Sequence, residues 1–332
     1  MVEISGSFFT KLYYSVKPFV PRNLRWALRR KRAIGIRERN TGTWPINSAA
    51  STPPADWPGW PDGKRFAVVF THDVEGLEGV GKVTQLAEVE EKHGFRSSFN
   101  FIPRGGYDVP EELRNWLAER DFEVGVHDLY HDGKLYHSRS GFREKAEQIN
   151  FHLREWGAVG FRSGFMLRQL DWLHDLNAEY DASTFDTDPF EPQPDGCRTI
   201  FPFFVQDPER SAGAGYVELP YTLPQDSTLY LLLGERSPEI WLQKLDWIAK
   251  HGGLVLVNIH PDYIDFDRSD YAHFRYPISL VTDLLNHLET HYAGQFWNPL
   301  PRELAAWFRC SRGGDTVGSS ESSSSHTIPP LS

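Results

Sequence analysis

Between Arg65 and Arg309 the chain alternates short, continuous apolar runs with longer stretches in which apolar residues recur every three or four positions. Continuous runs read as strands buried on both faces, and the periodic stretches as amphipathic helices. "RFAVVFT" predicts a strand, "VGKVTQLAEVEEKHG" a helix closed by Gly94, and "RSSFNFIP" a second strand. "VPEELRNWLAERD", with Pro110 in its first turn, predicts a helix, and "FEVGVH" a strand. The same pairing recurs in "FREKAEQINFHLREWG" with "AVGFRS", "LRQLDWLHDLNAE" with "YDASTF", "SPEIWLQKLDWIAKHGG" with "LVLVNIH", and "ISLVTDLLNHLETHY" with "GQFWNP", before "PRELAAWFR" closes the unit. Such alternation predicts an α/β fold with a parallel sheet and right-handed crossovers, and six or seven units predict that the sheet curls into a barrel.

The pattern divides the chain into four parts. Residues 1–40 form a basic, aromatic N-terminal segment, in which Arg22, Arg25, Arg29, Arg30, Lys31, Arg32, Arg37 and Arg39 follow a short aromatic stretch. Such a segment suits peripheral contact with an anionic membrane through residues 8–39, or docking on an acidic flank of the same chain. Residues 41–64 are dense in Pro, Gly, Ser and Asn and read as a linker or surface wrap. The barrel unit spans 65–310, and residues 311–332 read as a disordered, Ser-rich tail.

Composition removes several function classes. A net charge of -10 opposes a phosphate backbone, so nucleic acid is not an expected partner. Cys197 and Cys310 are the only cysteines, too few for a disulfide framework or a thiolate metal site. No stretch approaches the roughly 18 apolar residues of a membrane span, and the first twenty residues lack the pattern of a secretory signal. A cytoplasmic, possibly membrane-peripheral protein is the expectation. Aromatic residues make up 14% of the chain, which suits a sugar-binding cleft.

Candidate chemistry gathers where predicted strands end. Asp73 and Glu75 close the first strand, His127 the third, Arg162 the next; Asp186 and Asp188 follow "YDASTF", and His260 ends "LVLVNIH". In a barrel all those ends converge on one face. Asp73 and Glu75 alternate with His72 and Val74, so the two carboxylates share one side and call for a cation or a proton-transfer role. His127 and His131 are four apart, and a helix starting at Asp128 would place both imidazoles over one ion. Asp186 and Asp188 read as a cap or turn ahead of Pro189.

These motifs together resemble the polysaccharide deacetylases, the chitooligosaccharide deacetylase homology domain of carbohydrate esterase family four. The resemblance spans Phe66 to Arg309 and rests on "THDVE", the His127/His131 pair, "FRSGFM", "YDASTFDTDPFEP" and "LVLVNIHP", in the family's order. It implies a distorted (β/α) barrel of six to seven parallel strands. It further implies that Asp73 is the catalytic base, that Glu75, His127 and His131 hold the metal, and that Arg162 keeps Asp73 ionised and aimed. By the same token His260 is the general acid, and Gly164 and Phe165 shape the cleft wall and oxyanion contact. Which of Asp73 and Glu75 ligates the metal stays open at this point. The sequence departs from the family in having Asp128 after the first histidine, and Gly164 and Phe165 in place of a proline and a tyrosine.

The expected cofactor is one divalent ion, zinc first, with cobalt, nickel or manganese as alternatives. The expected function is metal-dependent removal of N-acetyl groups from an amino-sugar-containing glycan or glycan precursor. Two alternatives remain: another C–N bond hydrolase on the same scaffold, opening cyclic amides, and a catalytically inactive sugar-binding domain. The sequence does not distinguish free, lipid-linked and polymeric sugars, and it leaves the oligomeric state open.

Overall fold

The computed structural model describes residues 22–210, 213–267 and 274–313. The aromatic start of the chain, and the expected disordered tail beyond Gly313, lie outside the described residues.

A basic helix, α1 (Arg22–Arg39), leads into the turn-rich segment expected as linker or wrap. That segment buries Trp44, Ala50 and Trp60 against the barrel unit. Strand β1 (Phe66–Val74) follows and is buried along its whole length. The chain then runs through α2 (Val83–Lys92), β2 (Ser97–Phe101), α3 (Glu111–Glu119), β3 (Glu123–His127), α4 (Arg139–Trp156) and β4 (Gly160–Arg162). Three shorter strands come next: β5 (Tyr180–Asp181), β6 (Phe203–Gln206) and β7 (Gly215–Glu218). The unit closes with α5 (Glu239–His251), β8 (Leu254–Ile259), α6 (Ser279–Tyr292), β9 (Phe296–Trp297) and α7 (Pro301–Gly313).

The strands form one curled sheet in the order β8-β1-β2-β3-β4-β5-β7-β6, with β9 beside the foot of β1. All pairings are parallel except that of β6 with β7. This is the α/β barrel the alternation predicts, with β6 and β9 added at its margins.

The two-residue period of β1 sorts its side chains between two apolar layers. Phe66, Val68 and Phe70 face outward with Val255, Val257 and Ile259, and pack under α5 and α6 through Leu245, Ile248, Leu284 and Leu288. Ala67 and Val69 face the interior with Leu254, Leu256, Val217 and Leu219, over Leu304 and Phe308 of α7. The interior row continues to Thr71 and Asp73 at the carboxyl end, while His72 falls on the outer side, 2.8 Å from Glu90 of α2. Strand alternation therefore carries Asp73 to the mouth of the barrel.

One segment departs from the expected pattern. "LRQLDWLHDLNAE" forms 3-10 turns over Leu170–Asp175 rather than an α-helix. Its inward residues Leu170, Leu173 and Leu176 recur every three positions, which fits the three-residue turn and not the 3.6-residue one.

The two ends of the curled sheet meet at Thr222, beyond β7. Its N–H donates to Leu256 O at 2.9 Å. Its Oγ1 donates to Leu254 O at 2.7 Å and accepts from Leu256 N at 3.0 Å. Thr222→Val keeps the side chain's shape but strips the hydroxyl from this buried seam. It is expected to lower the unfolding free energy by about 2 kcal/mol in urea denaturation; unchanged stability would show that the seam is held by other contacts.

Candidate active site

The carboxyl ends of β1, β3, β4 and β8 open into a cleft of about 1000 Å³ whose walls include Asp73, Glu75, His127, His131, Phe165 and His260. Arg162 lies beneath them, fully buried. Its Nη1 donates to Asp73 Oδ1 at 3.3 Å, Thr71 Oγ1 at 2.8 Å and Asn258 Oδ1 at 2.6 Å, and its Nε donates to Ala182 O at 2.8 Å. Asp73 also accepts from Asn100 Nδ2 at 3.1 Å and Asn258 Nδ2 at 2.7 Å. Burial alone would raise the Asp73 pKa, but the Arg162 guanidinium, helped by the His260 imidazole and the Asn100 amide, outweighs it and holds the carboxyl well below the usual range. Asp73 is therefore ionised at neutral pH.

Glu75, His127 and His131 each offer a ligand atom, and these atoms lie within 4.8 Å of one another. His127 Nδ1 lies 3.1 Å from Arg162 O. A carbonyl only accepts, so Nδ1 carries the proton and Nε2 is left with its lone pair. Buried Nε2 has no hydrogen-bond partner among the described residues, and it faces the cleft 3.9 Å from Asp73 Oδ2. Burial keeps this imidazole below its ordinary pKa, hence neutral. Glu75 Oε1 lies 3.2 Å from His131 Nε2, and Oε2 accepts from Tyr263 OH at 2.8 Å. Burial opposes ionisation of Glu75, but the His131 imidazole beside it and that of His260 beyond bring its pKa down to about 2. Two imidazoles, each with a buried Nε2 that has no hydrogen-bond partner among the described residues, and an ionised carboxylate are a fitting donor set for a divalent cation.

The route to this cluster differs from the expected helix. After His127 the chain forms a loop in which Asp128 and His131 both adopt positive φ, 56° and 53°. Asp128 prevents a helix by engaging the loop's own backbone: its Oδ1 accepts from Leu129 N at 2.6 Å and its Oδ2 from Gly164 N at 3.2 Å, while its N–H donates to Arg162 O at 2.7 Å. The β4 loop fits against it only because residue 164 is glycine. A Cβ there would lie 2.5 Å from Asp128 Oδ2 and 2.7 Å from His131 Cδ2. Phe165, with φ 57°, turns its ring onto His131 at a centroid distance of 4.4 Å and stands half-exposed at the cleft.

His260 stands on the other side of Glu75, its Nε2 3.8 Å from Oε1. Its Nδ1 meets Asp226 Oδ1 at 2.6 Å, and its N–H donates to Asp226 Oδ2 at 2.8 Å. Burial works against a charged imidazole, but Asp226, reinforced by Glu75 and Asp73, pushes the His260 pKa up to about 10. Asp226 is in turn held by Tyr276 OH at 2.7 Å.

Asp226, Asn258 and Asn100 are site residues that sequence reasoning missed. Strand alternation could have found Asn258, two residues before His260 on the same face of β8, and Asn100, which pairs in register with Asp73. Asp226 lies outside any strand, in a segment with no recognisable motif. Asp262, next to His260, serves the β1 loop, accepting from Glu75 N at 2.9 Å and Gly79 N at 3.1 Å. Asp186 is buried against Lys244 Nζ at 2.9 Å, and Asp188 accepts from Phe190 N at 2.9 Å in the turn at Pro189.

No protein-family model and no curated protein matches this chain. Solved structures do. A candidate polysaccharide deacetylase from Mycobacterium smegmatis aligns with 84% of this chain and 99% of its own, at 18% identity and a TM-score of 0.56. The peptidoglycan deacetylase PdaC from Bacillus subtilis aligns with 78% of this chain and all of its own, at 10% identity and a TM-score of 0.45. A CE4-family pseudoenzyme from Bacillus anthracis aligns with 74% of this chain and 67% of its own, at 16% identity and a TM-score of 0.44. The Mycobacterium smegmatis structure, matched over nearly its whole length, identifies the architecture built up above: this chain has the polysaccharide deacetylase fold.

Proposed function

We propose that the protein is a metal-dependent hydrolase that removes N-acetyl groups from an amino-sugar-containing glycan or glycan precursor. One juxtaposition carries this reading. A carboxylate held ionised, Asp73, borders one member of the Glu75–His127–His131 set, and an imidazole held protonated, His260, borders another. Hydrolysis of an amide needs that pair of opposite proton states in one place.

Glu75, His127 and His131 would hold the divalent ion. When bound, it supplies Lewis acidity toward a carbonyl oxygen and favours nucleophilic water at neutral pH. Asp73 accepts the proton of the attacking water, and Arg162, Asn100 and Asn258 keep its carboxylate aimed. His260 donates its Nε2 proton to the sugar nitrogen as the C–N bond breaks, so that acetate and a free amine leave. Asp226 holds the opposite ring nitrogen and so fixes the orientation of that proton. The Gly164 N–H is occupied by Asp128, which leaves the Phe165 N–H as the backbone donor for the oxyanion, a contact worth about 3 kcal/mol.

Metal-loaded protein is expected to release acetate from N-acetylglucosamine oligomers, to stop on chelation, and to recover with zinc or cobalt. Asp73→Asn is expected to lower kcat about a thousandfold while retaining the ion. Acetate release untouched by chelation, or by Asp73→Asn, would overturn the mechanism.

Two further outcomes test parts of the site separately. Gly164→Ala drives a methyl group against Asp128 and His131, so calorimetric titration with zinc should show at least about a tenfold loss of affinity; unchanged affinity would exclude His131 as a ligand. Asp226→Asn removes the charge that keeps His260 protonated. Because the acid form is the active one, the alkaline limb of the kcat/KM profile should move to lower pH, and a limb left in place would assign it to another group.

A further inference from the structure

A chain of hydrogen bonds runs from Asp73 to the wall of the cleft at Glu191, and its members fix one another's orientation. Arg162 only donates, so Asn258 turns Oδ1 toward it at 2.6 Å and Nδ2 toward Asp73 Oδ2 at 2.7 Å. The second Nδ2 proton goes to Gln225 Oε1 at 3.3 Å, which points Gln225 Nε2 at Glu191 Oε1, 2.5 Å away. Tyr221 OH meets the same oxygen at 3.0 Å. Glu191 Oε1 is therefore an acceptor.

Tyr221 OH also lies 3.0 Å from Asp188 Oδ2, so one hydroxyl proton serves two carboxyl groups. Two anions so placed repel each other, and the pair is relieved when one of them holds a proton. Phe190 N donates to Asp188 Oδ1 at 2.9 Å, which favours the anion there. Burial together with Asp188 pushes the Glu191 pKa up to about 8, so Glu191 is the carboxyl that keeps a proton at neutral pH. With Oε1 accepting, that proton belongs to Oε2. Oε2 has no hydrogen-bond partner among the described residues, and Glu191 lines the cleft half-buried, flanked by Phe190 and Pro192. A neutral acid thus presents a donor to the cleft beside apolar side chains, the surroundings that suit a sugar.

We infer that Glu191 is a substrate-recognition residue of the cleft, which donates its Oε2 proton to an oxygen of the bound sugar. The inference rests on the reading that the cleft takes an N-acetylated sugar, and it goes further by naming a residue that recognises that sugar and the protonation state in which it does so. The titratable groups that act on Glu191 are Asp188, Tyr221 and His260, and Arg29 and Arg32 of α1 line the same cleft. Between pH 7 and 9 Asp188, raised only to about 6, stays ionised; His260, at about 10, stays largely charged, and burial keeps Tyr221 protonated. The arginines do not titrate. Of these groups Glu191 alone changes charge in that window, holding its proton below about pH 8 and losing it above.

Calorimetric titration of the full-length, metal-loaded protein with the N-acetylglucosamine trimer, at about pH 7 and about pH 9, provides the test. Wild-type affinity should fall about tenfold over this interval, the scale of one hydrogen bond. In Glu191→Gln the amide keeps an acceptor for Tyr221 and Gln225 and a donor for the cleft, but has no proton to lose. The fall should therefore disappear in that variant. Glu191→Ala should bind more weakly than Glu191→Gln at both pH values. Circular dichroism checks that the variants fold, and the comparison of wild type with Glu191→Gln stands even where Glu191→Ala does not fold. Equal wild-type affinity at the two pH values, a fall that persists in Glu191→Gln, a folded Glu191→Ala that binds as tightly as wild type, or no binding of the trimer would overturn the inference. The same samples assayed for acetate separate the two ideas: the expected binding pattern without acetate release would sink the deacetylase reading alone, and acetate release with pH-independent binding would sink the role of Glu191 alone.

Discussion

The cleft depends on a single buried guanidinium. Arg162 is excluded from solvent, and an isolated charge in that position would be prohibitively costly. Its side chain answers that cost with Asp73, Thr71, Asn258 and the Ala182 carbonyl. Its own carbonyl does a second job, receiving His127 Nδ1–H and the Asp128 N–H. One residue at the end of β4 therefore sets the charge of the proposed base, the tautomer of a proposed ligand and the start of the loop that presents the other. A change at this position would disturb all three together, so the effect of an Arg162 variant could not be assigned to any one of them.

The sequence made the frame and most of the cleft legible because both follow strict periods. The continuous apolar runs mark the central strands, and alternation along β1 and β8 places Asp73 and His260 at the same open end. What stayed hidden depends on contacts between loops. Asp226 reaches His260 from thirty-four positions away, with a spacing that carries no periodic signal. An i, i+4 histidine pair is compatible with a helix starting at Asp128 and equally with the tight turn that the loop through Asp128 and His131 makes. Positive φ at those two residues leaves no trace in a pattern of polar and apolar positions. The 3-10 turns at Leu170–Asp175 show the same limit, since a three-residue repeat of leucines overlaps a helical one over so short a span.

The departures from the family motif are coupled to one another. Asp128 follows the first histidine of the pair, and its carboxylate takes the Gly164 N–H. That approach is open only to glycine, so the acid at 128 and the missing proline at 164 are two sides of one contact. Without the proline, the β4 loop turns through positive φ at Phe165 and Met166, and the Phe165 ring is delivered onto His131. An apolar ring stacked on an imidazole limits its rotation and shields it from water, which suits a ligand that must hold one orientation. The loop is a reorganised version of the cleft wall, with a phenyl group where the family pattern has a tyrosine.

The N-terminal helix shows how position, rather than residue type, divides labour. Arg29, Arg30, Arg32 and Arg37 are chemically identical and lie within nine residues of one another. A rotation of about 100° per residue sends Arg30 to the Leu233 carbonyl and Arg37 to Glu235, and leaves Arg29 and Arg32 on the cleft. A basic run read as composition alone suggests a membrane or an acidic flank. Set in helical phase, it supplies both the attachment and the charge of one wall. Because that wall comes from outside the 65–310 unit, the barrel alone would present its proposed metal ligands and proton-transfer groups in a cleft open on one side.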